Sequence, residues 1–173
     1  MPPPPVTLQR ANHDDPRVVA AVRRYVGELD ARFPGGFAVT EADLVDPGGH
    51  YLLALRPGTD PGTDGPDDPD DADGAVDVVG VGGVRALPST DGVPTAEVKR
   101  MWVDPSARGS GLGRLLLGAL EDLARELGHR RVLLDTHLTL GEALALYDRA
   151  GYDRVERYND NPYAQAFFAK RLD

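Results

Sequence analysis

Apolar residues recur at helical spacing in two long stretches of the chain, at positions 18–29 and 112–127. Each spacing predicts an amphipathic helix with one buried face. Asp15 and Pro16 provide an N-cap and a first-turn proline for the first helix. Gly128 provides a natural stop for the second helix.

Shorter patterns predict the remaining elements. Thr139 and Glu142 have the spacing of a capping box, which predicts a third helix that ends at Gly151. A weaker pattern at 40–44 predicts one more short helix. Alternating or β-branched runs predict strands. These runs lie at positions 6–10, 50–56, 76–87, 96–103, 131–135, 153–157 and 164–170.

The composition bounds the class of protein. With 173 residues, 41% of them hydrophobic, the chain can bury one substantial core, so residues 1–173 are expected to form a single domain. The absence of cysteine excludes disulfides, thiolate metal sites and a cysteine nucleophile, and is compatible with a reducing cytoplasm. The proline-rich start lacks the features of a signal peptide, and no stretch is apolar for long enough to span a membrane. We therefore expect a cytoplasmic protein with no membrane partner.

The net charge of −9 is concentrated in one segment, positions 57–74, which contains seven aspartates and no Lys or Arg. These acids account for all but two of the net charges, so no charge excess remains that would indicate a nucleic-acid partner. The segment is rich in proline and glycine and is expected to be a disordered loop. A calcium-binding loop centred on Gly74 is excluded, because Gly80 would stand where that loop needs a glutamate.

Positions 98–114 combine the end of a strand, a glycine-dense turn and the start of a helix. Gly109, Gly111 and Gly113 let consecutive backbone amides turn toward one point, and the helix start adds its unpaired N–H groups. Such a site favours a pyrophosphate. A Walker loop would need Lys followed by Ser or Thr, and a dinucleotide fingerprint would need glycine where Arg114 stands, so both motifs are excluded.

The pattern that fits is R-x-x-G-x-G, formed by Arg108, Gly111 and Gly113. With A-E-V-K-R-M-W-V before it, the leucine-rich helix after it and A-L-Y-D-R-A-G-Y at 145–152, the sequence resembles the GNAT superfamily of acyl-CoA-dependent N-acyltransferases over positions 76–172. The resemblance implies an α/β (α+β) fold with a mixed, mostly antiparallel, twisted sheet of about six to seven strands flanked by about four helices. It also implies acetyl-CoA as co-substrate and no metal.

The resemblance assigns the coenzyme A site to two neighbouring segments. The pantetheine arm is expected to pair with the backbone of Met101, Trp102 and Val103, with a backbone N–H near Met101 facing the thioester oxygen. The pyrophosphate is expected on the glycine loop and the helix start. The residues of that second segment are Arg108, Gly109, Ser110, Gly111, Leu112, Gly113 and Arg114.

Two side chains are candidates for proton transfer. Glu97 stands where the histone-acetyltransferase branch of the family carries its general base; alternatively, it is an ordinary solvent-facing residue of its strand. Tyr147 corresponds to the family's tyrosine that reaches the coenzyme sulfur and protonates the thiolate; alternatively, its ring only packs in the core. The four histidines lack metal-ligand spacing and are interpreted as structural or surface residues.

The sequence says less about the amine acceptor than about the coenzyme A site. Basic residues near its expected pocket suit a carboxylate-bearing acceptor, whereas Asp160 and the acidic loop suit a polyamine or an aminoglycoside. The predicted function is acetyl transfer to a primary amine of a small molecule or peptide by direct attack in a ternary complex. The alternative is a non-catalytic acyl-CoA-binding module, and a homodimer is compatible with either. The residues expected around the acceptor are Arg32, Phe33, Phe37, Arg85, Lys99 and 158–163.

Overall fold

The computed structural model describes residues 5–58 and 76–173. Within these residues the chain forms seven β-strands and three α-helices, and the short helix predicted at 40–44 is a single 3-10 turn, Glu41–Asp43. A second such turn is Pro105–Ala107. The strands are β1 (Thr7–Ala11), β2 (His50–Pro57), β3 (Val76–Leu87), β4 (Thr95–Val103), β5 (Arg131–Thr136), β6 (Asp153–Val155) and β7 (Ala166–Arg171), and the helices are α1 (Pro16–Arg32), α2 (Leu112–Glu126) and α3 (Gly141–Arg149).

The strands form one sheet in the order β1-β2-β3-β4-β5-β7-β6. β4 and β5 run parallel, and every other neighbouring pair is antiparallel. Leu52 of β2 packs in a cluster with Leu116 of α2, whereas the adjacent Leu53 packs in a cluster with Val18 of α1. Because neighbouring strand residues point to opposite faces, α1 and α2 lie on opposite faces of the sheet. The predicted mixed, mostly antiparallel sheet with helices on both faces is confirmed.

Glycines in β3 let both layers approach the sheet closely. A Cβ on Gly82 would come 2.6 Å from Leu120 Cδ1 of α2, and a Cβ on Gly83 would come 2.7 Å from the ring of Tyr51. Any larger residue would therefore push α2 or the Tyr51 ring away from the sheet. The small residues of β3 therefore let α2 and the Tyr51 ring pack directly on the sheet.

A bulge at Arg100 changes which face of the sheet the side chains of β4 point to. Arg100 has φ +56°, and the pairing with β3 shifts between Trp102 opposite Val81 and Lys99 opposite Gly83. The extra residue turns every later side chain to the other face. Val98 therefore packs with α2, whereas Trp102 packs with α1.

β4 and β5 separate soon after they begin. Their parallel pairing covers only Thr95–Arg131, Ala96–Val132 and Glu97–Leu133, although β4 continues to Val103 and β5 to Thr136. The bulge at Arg100 lies just beyond the last of these pairs, where a bulged strand bends and twists more strongly. The separated strand ends form two walls of an open cleft.

Two predictions differ from the structure or cannot be fully compared with it: the start of α3 and the segment 57–74. Helix α3 has Leu140 as its N-cap, with no side-chain cap, so the capping box predicted at Thr139 and Glu142 is wrong. The Thr139 hydroxyl instead lies 2.8 Å from Nδ1 of His137. The disorder predicted for 57–74 falls almost wholly on residues outside the described ranges, although Pro57 belongs to β2 and pairs with Val76. No helix in the described ranges combines the length and apolarity needed to cross a membrane.

Candidate active site

The cleft between the separated ends of β4 and β5 has a volume of about 510 Å³. One end is formed by the glycine loop before α2, and the other by the end of α1, the residues after β5 and the segment before β7. Helix α3 contributes the wall between them. Elements from the whole length of the described chain therefore meet in one place.

The glycine-loop end is open and rich in backbone donors. Gly109 has φ +79° and Gly111 has φ +87°, a backbone conformation that favours glycine. A Cβ at either position would meet no atom within 4 Å, so free space lies in front of both residues. Gly111 is the N-cap of α2 and no side chain caps the helix, which leaves its first N–H groups available to a ligand. The geometry fits the predicted anion cradle.

Three arginines line this end of the cleft. Nη2 of Arg108 donates to both carboxylate oxygens of Glu28, at 2.8 and 2.6 Å, and its Nε donates to the Val103 carbonyl at 3.0 Å. Arg114 and Arg149 form no ion pair with any residue that the structure describes. Positive charge is therefore still available beside the free N–H groups.

Glu28 connects the two ends of the cleft. Besides Arg108, it accepts hydrogen bonds from Trp102 Nε1 at 2.9 Å and from Arg32 Nη1 at 3.2 Å. Burial opposes the charge of Glu28, but the hydrogen bonds from Arg108 and Trp102 outweigh it and lower the pKa of this carboxyl. Arg32 also pairs with Glu142 of α3, so this network ties α1 to α3 across the cleft.

Tyr147 of α3 lines the cleft and is almost fully buried. Its ring packs against Tyr152 and Phe168, with centroid distances of 5.9 and 5.4 Å. The ring therefore packs in the core, which was one of the two interpretations of Tyr147 from the sequence. The hydroxyl nevertheless makes no hydrogen bond to any part of the chain described here, and Tyr147 lines the cleft. Burial raises the pKa of Tyr147 well above its ordinary value, so the hydroxyl stays protonated at neutral pH.

Tyr25 of α1 contributes a second hydroxyl to the same region. Burial raises the pKa of Tyr25 to about 12, and the nearby charge of Arg100 opposes that shift. Tyr25, Tyr147 and Asp135 all line the cleft, and the charge of Asp135 adds to the burial that raises the pKa of both phenols. From its spacing, Tyr25 was predicted only to pack on the buried face of its helix.

Glu97 is fully buried, so its interpretation as a solvent-facing residue is wrong. Its Oε2 accepts from Arg85 Nε at 2.7 Å, and its Oε1 accepts from the Tyr158 hydroxyl at 2.9 Å. Lys99 Nζ lies 3.6 Å from Oε1. Glu97 does not line the cleft, whereas Lys99 does. The role of Glu97 as a general base stays a prediction. Because Glu97 does not reach the cleft, a proton from the amine would have to pass to it through a neighbouring side chain or a water molecule.

Most of the predicted binding residues meet at the cleft. Met101, Trp102, Val103, Arg108, Gly109, Gly111, Gly113 and Arg114 line it, as do Arg32, Phe33, Phe37, Lys99, Asn161 and Tyr163 of the expected acceptor set. Ser110 and Leu112 do not line it: Ser110 Oγ donates to the Ala107 carbonyl at 2.7 Å, and Leu112 is buried. Arg85 and Tyr158 lie behind the cleft, where both bind Glu97.

Two cleft residues at the end of β5 and just after it, Asp135 and His137, were missed. Asp135 Oδ2 accepts from Asn159 Nδ2 at 2.5 Å, and Asp135 Oδ1 accepts from Asn161 Nδ2 at 3.2 Å. The ring of His137, interpreted as structural or surface, stacks on Phe33 at a centroid distance of 4.2 Å and lines the cleft. A polar Asp-Thr-His run at the end of a strand beside the central strand was the signal available in the sequence.

Comparison with known proteins gives a consistent picture of fold and family. A family model described as "Acetyltransferase (GNAT) family" matches residues 66–152. An IAA acetyltransferase of Azospirillum brasilense is 43% identical over 67 residues, which are 39% of this chain and 42% of that protein. The chain spans less than half the length of the curated relatives it matches.

Solved structures match over nearly the whole chain. An acetyltransferase of the GNAT family from Staphylococcus aureus matches with a TM-score of 0.67 at 14% identity, covering 96% of this chain and 100% of that chain. A chain of the NatC complex bound to Gag peptide and CoA matches with a TM-score of 0.63 at 13% identity, covering 97% and 99%. At these identities the structural matches show the fold alone.

Proposed function

The chain belongs to the acetyltransferase (GNAT) family, and on that premise we propose that it transfers the acetyl group of acetyl-CoA to a primary amine of a small molecule or peptide. One observation supports this function most: the glycine loop and Tyr147 line the same cleft, between the separated ends of β4 and β5. A held donor and a group facing the leaving atom are two requirements of acyl transfer.

Acetyl-CoA fits the glycine-loop end on the chemistry of that end. Free space lies before Gly109 and Gly111, the start of α2 has no side-chain cap, and Arg114 and Arg149 supply positive charge. These groups would hold the pyrophosphate, and the backbone of residues 101–103 would pair with the pantetheine arm. When bound, acetyl-CoA supplies an acetyl group already activated for attack by an amine.

Transfer in a ternary complex needs the amine nitrogen to reach the thioester carbon while both reactants occupy the cleft. A C–N bond forms and the C–S bond breaks; the amine loses one proton and the departing sulfur gains one. The bulge at Arg100 takes one residue out of the ladder with β3. A backbone N–H near Met101 is the proposed donor to the thioester oxygen, and losing such a donor costs about 2.7–4 kcal/mol.

Tyr147 is the proposed donor to the departing sulfur. Its hydroxyl has no partner in the described ranges, and burial keeps the pKa of Tyr147 above its ordinary value. A free thiol has a pKa near 8.5, so complete transfer of the phenolic proton to the thiolate is uphill. Tyr147 therefore acts mainly by donating a hydrogen bond to the developing negative charge, a smaller effect than full general acid catalysis.

The experiment that tests the function is a thiol-release assay. Purified protein and acetyl-CoA are incubated with a panel of primary amines, and the free thiol is measured against controls without amine. We expect amine-dependent release. Binding of acetyl-CoA by calorimetry without release for any amine would overturn the enzyme and support the non-catalytic acyl-CoA-binding module instead.

A further inference from the structure

Three acidic side chains line the cleft: Glu28, Asp135 and Glu142. Glu28 pairs with Arg108 and Arg32, and Glu142 pairs with Arg32. Asp135 pairs with no Lys, Arg or His among the residues that the structure describes. It is thus the one cleft carboxylate in this part of the chain whose charge no cation balances, although it is partly buried.

Asp135 is held in a fixed orientation by two amides. Asn159 Nδ2 and Asn161 Nδ2 donate to its two oxygens. The side-chain oxygens of both asparagines are also engaged, since Asn159 Oδ1 accepts from Asn161 N and Asn161 Oδ1 accepts from Tyr163 N, each at 3.1 Å. Neither amide can flip without breaking a turn. The carboxylate is therefore aimed and hydrogen-bonded, but still negatively charged toward the cleft.

No Lys, Arg or His in the described ranges forms an ion pair with Asp135. The phenols of Tyr25, Tyr147 and Tyr158 feel its charge, and burial raises the pKa of all three, so they are neutral neighbours. Glu97 of β4 shares Asn159 with Asp135, at 3.5 Å from Nδ2 to Glu97 Oε1. The groups near Asp135 thus include neutral phenols of α1, α3 and the segment before β7, the carboxylate of Glu97 and, through its effect on Tyr25, the cation Arg100.

The neighbouring cations are turned to other partners. Lys99 Nζ faces Glu97 at 3.6 Å, and Arg100 Nη2 donates to the Asp43 carbonyl at 2.8 Å. The two arginines expected to bind an acceptor carboxylate are also occupied, Arg32 by Glu28 and Glu142, and Arg85 by Glu97 and Asp46. At the acceptor end Asp135 is therefore a carboxylate without an ion-pair partner, whereas Arg32 is held by two carboxylates and Arg100 by a backbone carbonyl.

Aromatic rings stand next to Asp135. Phe37 packs on Tyr163 at a centroid distance of 4.5 Å and on Phe33 at 5.6 Å, and Phe33 stacks on His137, two residues beyond Asp135. Tyr163 is joined to Asp135 through Asn161. All of these residues line the cleft. The carboxylate and the rings therefore form one subsite with a charged side and an apolar side.

Resting on the proposed acetyltransferase function, we infer that this subsite selects its acceptor: Asp135 binds the ammonium group of a primary amine, and Phe33, Phe37 and Tyr163 hold its apolar body. An acceptor with a carboxylate beside the amine is disfavoured, because that charge would lie close to Asp135. The acceptor class is thus an arylalkylamine or similar apolar amine, in preference to an amino acid or a hydroxylated amine.

The first test varies 2-phenylethylamine at saturating acetyl-CoA. Asp135→Asn should raise KM for the amine about 10- to 100-fold, the effect of losing a charge-assisted hydrogen bond, with kcat nearly unchanged. Calorimetry should find acetyl-CoA affinity unaltered. Asp148→Asn is the matched control, since it removes an exposed carboxylate of α3 that does not line the cleft. An unaltered KM in Asp135→Asn, or a parallel loss of stability, kcat and acetyl-CoA affinity, would overturn the inference.

A second test uses the wild-type protein and so remains decisive if Asp135→Asn does not fold. N,N-Dimethyl-2-phenylethylamine carries the charge but cannot give a neutral amide, and 2-phenylethanol has the same body without charge. As competitive inhibitors against 2-phenylethylamine, the cation should bind about tenfold more tightly than the alcohol. Equal inhibition by the two compounds would contradict a carboxylate that binds ammonium.

The substrate class is tested with two further amines. Relative to 2-phenylethylamine, kcat/KM should be about 10- to 100-fold lower for 2-aminoethanol, which lacks the apolar body, and also lower for L-phenylalanine. Phe37→Ala should reduce the difference in kcat/KM between 2-phenylethylamine and 2-aminoethanol. If 2-aminoethanol or L-phenylalanine is acetylated as well as 2-phenylethylamine, the subsite inference fails while the proposed function stands. If no amine releases thiol at all, the proposed function itself fails.

Discussion

The two ends of the cleft are built in different ways. The glycine-loop end comes mainly from one contiguous stretch, residues 98–114, in which a strand end, a turn and a helix start follow one another, with Arg149 added from α3. The acceptor end brings together Arg32 at the end of α1, Phe37 in the loop that follows, Asp135 in β5 and Tyr163 before β7. The geometry of the contiguous end follows from local backbone preferences. The acceptor end forms only when the order of strands in the sheet brings distant segments together.

The largest expected effect tests the glycine-loop end alone. Gly111→Asp places a side chain and a negative charge before the free N–H groups of α2, and should weaken acetyl-CoA binding by at least about a hundredfold in calorimetry. The positive φ also costs about 1–2 kcal/mol of stability. Gly128→Asp is the control, because Gly128 has φ +91° at the other end of α2, with no atom within 4 Å of a Cβ.

The control separates ligand contact from backbone strain. Both variants should lose similar stability in chemical denaturation, and only Gly111→Asp should lose acetyl-CoA affinity. Equal affinity in a folded Gly111→Asp protein would show that the pyrophosphate does not lie on this loop.

The next effect lies between the two ends, at Tyr147. Tyr147→Phe keeps the ring contacts with Tyr152 and Phe168 and removes only the unpartnered hydroxyl. Turnover should fall about 10- to 100-fold, as expected for one hydrogen bond to a developing charge, with melting temperature and acetyl-CoA affinity nearly unchanged. Normal turnover, or stability that falls in step with activity, would leave Tyr147 as a core residue only.

The raised pKa of Tyr147 fixes the sign of a pH dependence. Because burial raises the pKa, the protonated donor persists to higher pH than an ordinary phenol would allow. At saturating 2-phenylethylamine, the wild-type kcat, which reports groups in the bound complex, should therefore show no decline below about pH 10. A decline between about pH 8 and 10 in a stable protein would contradict the assignment of Tyr147 as the donor.

A smaller effect is expected at Glu97, in stability first. Glu97→Gln removes the charge that Arg85 and Lys99 face, and should lower the free energy of unfolding by about 1–3 kcal/mol. If Glu97 is also the general base, its loss of turnover should be greatest for amines of high pKa and should recover as pH rises. A loss that is equal at every pH would show that Glu97 only supports Asn159 and, through it, Asp135.

The smallest effect concerns the acidic segment. Because Pro57 and Val76 pair directly, a short Gly-Ser turn in place of residues 59–75 can connect β2 to β3. Turnover and acetyl-CoA affinity should stay within about twofold of wild type, since a loop of this composition adds little apolar burial. A melting temperature lowered by many degrees, or lost turnover, would show that the segment packs on the domain or binds a ligand.

Local signals in the sequence predicted the fold well. Apolar spacing located α1 and α2, and Asp15 caps α1 by accepting from Arg17 N at 2.9 Å, as its position suggested. The α3 cap was mispredicted because Thr139 bonds His137 instead of the helix start. The bulge at Arg100, whose positive φ is rare outside glycine, left no recognisable signal in the sequence.

The parts of the site that come from adjacent residues were predicted well, and the parts that depend on residues far apart in the chain were not. The glycine loop followed from backbone preferences of adjacent residues, but the state of a charged residue depends on partners far along the chain. Glu97 is buried because Arg85 and Tyr158 reach it from β3 and from the segment before β7. Asp135 is available because no such cation reaches it within the described residues. These long-range pairings decide which carboxylate can meet a substrate, and no sequence spacing encodes them.

The most direct measurement is the amide product itself, because thiol release alone does not separate transfer to an amine from hydrolysis. Wild-type protein is incubated with acetyl-CoA and 2-phenylethylamine, and N-acetyl-2-phenylethylamine and free CoA are quantified together by chromatography with mass detection. We expect the two products in equal amounts, with both lost in a folded Gly111→Asp protein at limiting acetyl-CoA. Free CoA without the amide, or bound acetyl-CoA with neither product for any amine tested, would contradict an acetyltransferase acting in this cleft.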